Sequence, residues 1–280
     1  MRNTPIEVKP IAGAIGAEVL GVRIADELPD AAIGAIRKAL LDHCVIFFRD
    51  QDELPDDRFL AFAKRFGKSV EYPFVRGLES FPEIIQVAKL EHETTNFGGI
   101  WHSDTSYLEE PPMGTLLAAR ELPPFGGDTL FANQYLAYEA LSPALQRVLD
   151  GLSAVSDSAK ADVTRTREDR VKSDGTQAAR QPLAAEHPVV RTHPETGRQA
   201  LYVNVAHTSR FVGMTEVESA GLLRFLFDHQ VRPEFTCRVV WKPGSVAFWA
   251  NRCAQHNPVN DSHGFRRVMH RITLAGDRPR

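Results

Sequence analysis

Short apolar runs cut off by turn residues constrain this chain more than anything else in it. Residues 44–48, 82–87, 113–120, 235–241, 245–249 and 266–274 are brief, rich in β-branched and aromatic side chains, and flanked by Gly, Pro or Asp. Runs of that kind read as strands. Residues 6–22 add two short strands around Gly13, Gly16 and Gly21. The runs 187–192 and 199–204 flank Pro194-Glu195-Thr196-Gly197, a hairpin signal. Helical spacing appears in few places: 30–43 with Asp30 as N-cap, 54–66 stopped by Gly67, 135–152, and a helix opened by Thr215-Glu216-Val217-Glu218, a capping-box pattern. Many short strands with a few outer helices predict a mostly β chain, a double-stranded β-helix (a cupin-like jelly roll) with peripheral helices.

A chain of 280 residues suits one large domain or two small ones. No repeat or boundary divides it, so one domain over 1–280 is expected. Residues 156–186 are charged and Ala-rich, and strong apolar pattern resumes beyond them. They read as a flexible lid or insertion rather than a linker. The net charge of −3 comes without any Lys/Arg block, which argues against a nucleic-acid partner. No apolar run approaches the ~18 residues of a membrane span, and the N-terminus lacks an apolar signal core. Cys44, Cys237 and Cys253 are scattered, which fits reduced thiols in the cytoplasm better than a disulfide framework or a zinc knuckle.

The chemistry begins at residues 99–107. Trp101, Thr105 and Tyr107 give the stretch a strand-like composition, so His102 and Asp104, two apart, are expected on one face. An imidazole beside a carboxylate is two thirds of the facial triad that holds non-haem Fe(II), with positions left open for a co-substrate and oxygen. With 10 His and 36 Asp plus Glu, about one such H-x-D/E pair arises by chance. His193-Pro194-Glu195 reads as that accident. His256 stands just past the 245–249 run in a polar stretch and is the candidate third ligand. The 266–274 strand carries Arg267 and Arg271, four apart and some 13 Å from one another at ~3.3 Å per residue. Buried cations need anions, and Arg forks suit carboxylates. Arg266 reads as a surface ion pair, and Asn96, in the polar loop before the motif, as a pocket residue.

The order of these motifs resembles the taurine dioxygenase/phenoxyalkanoate dioxygenase superfamily. The resemblance rests on Trp101-His102-Ser103-Asp104, Gly126-Gly127-Asp128-Thr129-Leu130, His187 to Pro194, Leu201-Tyr202-Val203-Asn204, Asn251-Arg252 with His256, and Arg267 to Arg271. It implies a jelly-roll oxygenase dependent on Fe(II), 2-oxoglutarate and O₂. His102, Asp104 and His256 would then be the iron ligands and the catalytic centre. Thr129 and Arg267 would hold the distal carboxylate of 2-oxoglutarate, and Arg271 would meet the primary substrate's anionic head. Tyr72 stands where taurine-type members carry a histidine, and His207 where an aromatic often lines the pocket. With Asn96 they complete the expected substrate residues. Ala250 and Ser262 replace a usual acid and a usual aromatic.

The expected reaction is hydroxylation of an aliphatic C–H of a small to medium organic acid, carboxylate or sulfonate, releasing succinate and CO₂. Asp104 fills the position that halogenating relatives vacate. Desaturation or ring formation uses the same site. The partner is a small molecule, with no nucleic acid or membrane, and the protein is expected to be a homo-oligomer. Two other classes fit part of the pattern. A non-catalytic jelly roll fits the fold but not the intact triad and arginines. A zinc hydrolase fits the ligands but explains neither Thr129 nor the Arg267/Arg271 pair.

Overall fold

The computed structural model describes residues 6–160 and 182–280. Two short strands, β1 (Glu7–Pro10) and β2 (Ala17–Leu20), precede helix α1 (Asp30–His43). Asp30 is the first helical residue rather than the cap. Pro29, with its fixed extended backbone, takes the cap position without a side-chain hydrogen bond. Strand β3 (Val45–Phe48) is buried throughout, as an apolar, β-branched run requires, and α2 (Asp56–Lys64) follows it. Next come β4 (Ser69–Val70), β5 (Gly77–Leu78), β6 (Phe81–Lys89), β7 (Gly114–Glu121) and β8 (Thr129–Asn133).

The helix expected over 135–152 is two helices, α3 (Gln134–Glu139) and α4 (Pro143–Leu149). Pro143 has no N–H to continue the first helix. Ser142 instead caps the second, its Oγ accepting from the Leu145 N–H at 3.3 Å. Strands β9 (Ser153–Asp157) and β10 (Ala184–Pro188) pair antiparallel, Asp157 opposite Ala184. The two ends of the expected flexible insertion are therefore ordered strand, and residues 161–181 lie outside the described residues.

Strands β11 (Val190–Thr192) and β12 (Gln199–Leu201) form the predicted hairpin, and β13 (Thr208–Phe211) joins β9. His193 sits in the hairpin turn, its Nδ1 accepting from the Glu195 and Thr196 N–H groups. Glu195 itself pairs with Arg37 and Arg252. The H-x-E match is thus part of a turn. Helix α5 (Glu216–His229) carries the capping box, with Thr215 and Glu218 bonded reciprocally. The chain closes with β14 (Thr236–Val239), β15 (Val246–Ala250), β16 (Ala254–Pro258) and β17 (Arg267–Leu274).

The large sheet runs β1-β2-β3-β15-β7-β17-β6-β5 with β4 against β17, and a smaller sheet runs β14-β8-β16. Among the described residues only β2 and β3 pair in parallel within the large sheet. The two sheets face each other across the main core. Phe131 of the small sheet meets Phe47 at 5.9 Å and Trp249 at 5.6 Å between ring centres. This is the expected jelly roll. A second apolar cluster, including Tyr138, Leu201, Phe211 and Leu226, joins the outer helices to the small strands. Among the described residues no helix is long and apolar enough to cross a membrane.

Candidate metal centre

His256 lies on β16 opposite Phe131 of β8. His102 reaches it through an isolated pairing of main chains. The His102 N–H donates to the His256 carbonyl at 3.0 Å, and the His256 N–H donates back at 2.9 Å. The rest of the stretch is a turn, not the expected strand, and Thr105 takes a φ of +42°. That backbone is uncommon for a β-branched residue. The strand propensity of Trp101, Thr105 and Tyr107 is overridden because this segment pairs only at His102, then folds back to carry Asp104 to the imidazoles.

Asp104 Oδ1 lies 3.6 Å from His102 Nε2 and 3.8 Å from His256 Nε2. One donor atom of each residue falls within 4.8 Å of the other two, and all three residues are buried. His102 Nδ1 is 2.7 Å from the Ile100 carbonyl. A carbonyl can only accept, so Nδ1 carries the proton and Nε2 keeps its lone pair for the centre. Burial, helped by the neighbouring His102, holds His256 well below the usual histidine range. Burial alone would raise the Asp104 carboxyl, but the Arg271 guanidinium and the imidazoles bring it well below the usual range. Two imidazole donors and a carboxylate suit Fe(II).

Behind the carboxylate runs a chain of donors. Thr115 Oγ1 donates to Asp104 Oδ2 at 2.7 Å, Asn251 Nδ2 to Thr115 at 3.0 Å, and Trp249 Nε1 to Asn251 Oδ1 at 3.0 Å. Asn251 stood in a recognisable motif, but Thr115 carried no local signal. Its role follows from β7 lying beside β15, where Thr115 pairs with Trp249. Thr115→Val should weaken iron binding or turnover by about 10–100-fold, as loss of a ligand-orienting bond does, read by iron titration and succinate release.

A cavity of about 380 Å³ opens from the centre between the sheets. Thr129, at the start of β8, lines it. Its Oγ1 accepts from Trp241 Nε1 at 3.0 Å, which leaves its own O–H to donate. Arg267 is buried under the Trp241 ring, 5.7 Å from its centre, and its Nε and Nη2 have no hydrogen-bond partner among the described residues. Burial pulls its pKa down to about 10. Gly127, at a φ of +71°, makes room for it, since a Cβ there would stand 3.1 Å from Arg267 Cδ.

Arg271 shares the inner face of β17, while His270 points outward to Asp56 at 2.7 Å, as strand alternation predicts. Spacing alone left Arg271 without a partner. In the structure its Nη2 lies 3.0 Å from Asp104 Oδ1 and its guanidinium 5.1 Å above the Tyr72 ring, because the turn at 104–107 brings the carboxylate beside β17. Arg266 makes its surface pair, 3.3 Å from Glu121.

Tyr72, Asn96 and His207 line the same cavity. Asn96 Nδ2 donates to the Val259 carbonyl at 2.8 Å, tying the loop before the motif to the end of β16. His207 stands edge-on to Tyr107, its Nδ1 buried without a partner among the described residues, and burial lowers its pKa to about 3. Ala250 is buried in β15, where an acid would need a partner of its own, and the Ser262 carbonyl accepts from Lys89 Nζ at 2.9 Å.

Comparison with known proteins gives a consistent picture. The family model described as "Taurine catabolism dioxygenase TauD, TfdA family" matches residues 7–273. An alpha-ketoglutarate-dependent sulfate ester dioxygenase of Pseudomonas putida is 35% identical, over 98% of this chain and 91% of its own. An alkylsulfatase of Acinetobacter baylyi is 34% identical, over 97% of this chain and 86% of its own. The crystal structure of a taurine dioxygenase from Burkholderia xenovorans superposes with a TM-score of 0.82 at 38% identity, covering 98% of this chain and 92% of that one.

Proposed function

From the membership of this chain in the TauD, TfdA family of iron- and 2-oxoglutarate-dependent dioxygenases, we propose that it oxidises an aliphatic C–H next to the anionic head of a sulfate ester or sulfonate. Bound iron with 2-oxoglutarate and O₂ supplies the oxidising power, and succinate and CO₂ leave. The chain's own residues supply the rest. His102, Asp104 and His256 hold the metal, Asp104 steadied by Thr115. Arg267 and Thr129 grip the distal carboxylate of 2-oxoglutarate. The fit rests on Arg267: a buried guanidinium with two unpartnered nitrogens, facing a cavity, is the signature of an absent anion.

The charge of the cavity carries the substrate reading. Among the described residues its lining holds Lys89, Arg267 and Arg271 against Asp104 alone. The metal adds positive charge and 2-oxoglutarate removes only part of the surplus, so an anionic primary substrate suits the field. Arg271 offers its charge to the head, with Tyr72, Asn96 and His207 forming the walls. Hydroxylation of R–CH₂–O–SO₃⁻ gives R–CH(OH)–O–SO₃⁻, which collapses to the aldehyde and hydrogen sulfate. A sulfonate likewise gives the aldehyde and hydrogen sulfite. The names of the two sequence relatives favour the sulfate ester.

The test compares an alkyl sulfate with the neutral alkyl methanesulfonate of equal chain length, read as succinate and aldehyde formed. The sulfate should have at least about a tenfold higher kcat/KM, the equivalent of one modest charge contact. Equal turnover of the neutral ester would overturn the charge argument.

A further inference from the structure

Lys89 is a third buried cation in the cavity, beside Arg267 and Arg271. It ends β6, is 5% exposed, and stands directly opposite Arg267 of β17 in the antiparallel register. Residues directly opposite in such a pair project to one face with their Cβ atoms about 5 Å apart, and like charges there repel. Both side chains line the same cavity. Neither is ion-paired with a carboxylate among the described residues. Asp128, whose field reaches Arg267, is held by Arg238 at 2.6 Å. The Ser262 carbonyl accepts one of the three ammonium protons of Lys89. Two like charges, buried and opposed with no acid between them among the described residues, would be reconciled by an anion that bridges them.

We propose that Lys89 is a second cationic contact for the distal carboxylate of 2-oxoglutarate, completing with Arg267 and Thr129 a three-sided cradle that selects a dicarboxylate co-substrate. The proposal rests on the co-substrate reading above. It divides the work by geometry. The Arg267 fork receives the carboxylate in its plane, and Lys89 adds a point charge from the neighbouring strand. The bond from Lys89 to Ser262 also fixes the ammonium, so little side-chain freedom is lost when the anion arrives. Nothing in the local sequence marks Lys89. Its position is set only by the pairing of β6 with β17.

Calorimetric titration of the anaerobic, iron-loaded enzyme tests the proposal with two probes. 2-Oxoglutarate carries the distal carboxylate, and 2-oxobutyrate has the same keto-acid end without it. Lys89→Met keeps the apolar stem and removes the charge. It should raise the Kd for 2-oxoglutarate about 10-fold or more, the loss of one charge-assisted hydrogen bond, and leave 2-oxobutyrate within about twofold. Equal weakening of both probes would make Lys89 a structural tie for the Ser262 loop and overturn the proposal. Unchanged 2-oxoglutarate binding in Lys89→Met, with weakened binding in Arg267→Met, overturns the role of Lys89 and spares the co-substrate reading. Unchanged binding in both variants overturns the two together.

Discussion

The His256→Ala protein is expected to fold and to release no succinate above background. Strand β16 is held by its main-chain ladder to β8 and by the reciprocal bonds to His102, none of which uses the imidazole. Removing the ring leaves a void against Trp249 and Phe131, whose ring centres lie 4.7 Å and 6.0 Å away. Large-to-small changes of this kind remove roughly 2–5 kcal/mol, so the melting temperature falls while the circular dichroism of the β core survives. Two donors remain where three stood, and iron content should drop with activity. Asp104→Ala differs in kind. It strips Arg271 of its only carboxylate among the described residues, and an uncompensated buried charge costs about 3–5 kcal/mol. Full activity in His256→Ala would refute the ligand set.

Arg267→Met should move stability and co-substrate binding in opposite directions. Without 2-oxoglutarate the guanidinium is buried against the Trp241 ring and unpartnered at two nitrogens among the described residues. An apolar side chain of similar length relieves that desolvation, so the melting temperature should hold or rise. The same change removes the fork proposed to meet the distal carboxylate. Loss of a buried charge pair is worth roughly 2–5 kcal/mol, or about 30-fold to several thousand-fold in Kd. Melting curves with and without 2-oxoglutarate check both halves, because ligand-induced stabilisation should vanish from the variant. An unaltered 2-oxoglutarate response would assign the carboxylate to another cation.

Features written into neighbouring residues were the ones legible beforehand. The 44–48 run, the capping box at Thr215 and the inward alternation of Arg267 and Arg271 depend on propensity, one turn of helix or the pleat. The break at Ser142-Pro143 was local too, but helical spacing on both sides masked it. The candidate ligands were visible as residue types in a familiar order, whereas the backbone that joins them was not. The turn at 104–107 exists because of a partner strand far along the chain. Thr115 and Lys89 belong to the same class of surprise. Each acquires its neighbours from strand register, which no window of local sequence contains.

The mutual main-chain bonds of His102 and His256 have a thermodynamic consequence. They close a very long loop of chain, and the entropy of closing it is lost when the sheets assemble. An ion arriving at the proposed centre would find the two imidazoles already neighbours and little disorder left to remove. Small zinc modules behave otherwise, since there the metal itself must gather the chain and its affinity is spent on folding. Here assembly of the polypeptide and capture of an ion at the proposed centre should be largely separate events, so that emptying and refilling it is expected to leave the scaffold standing.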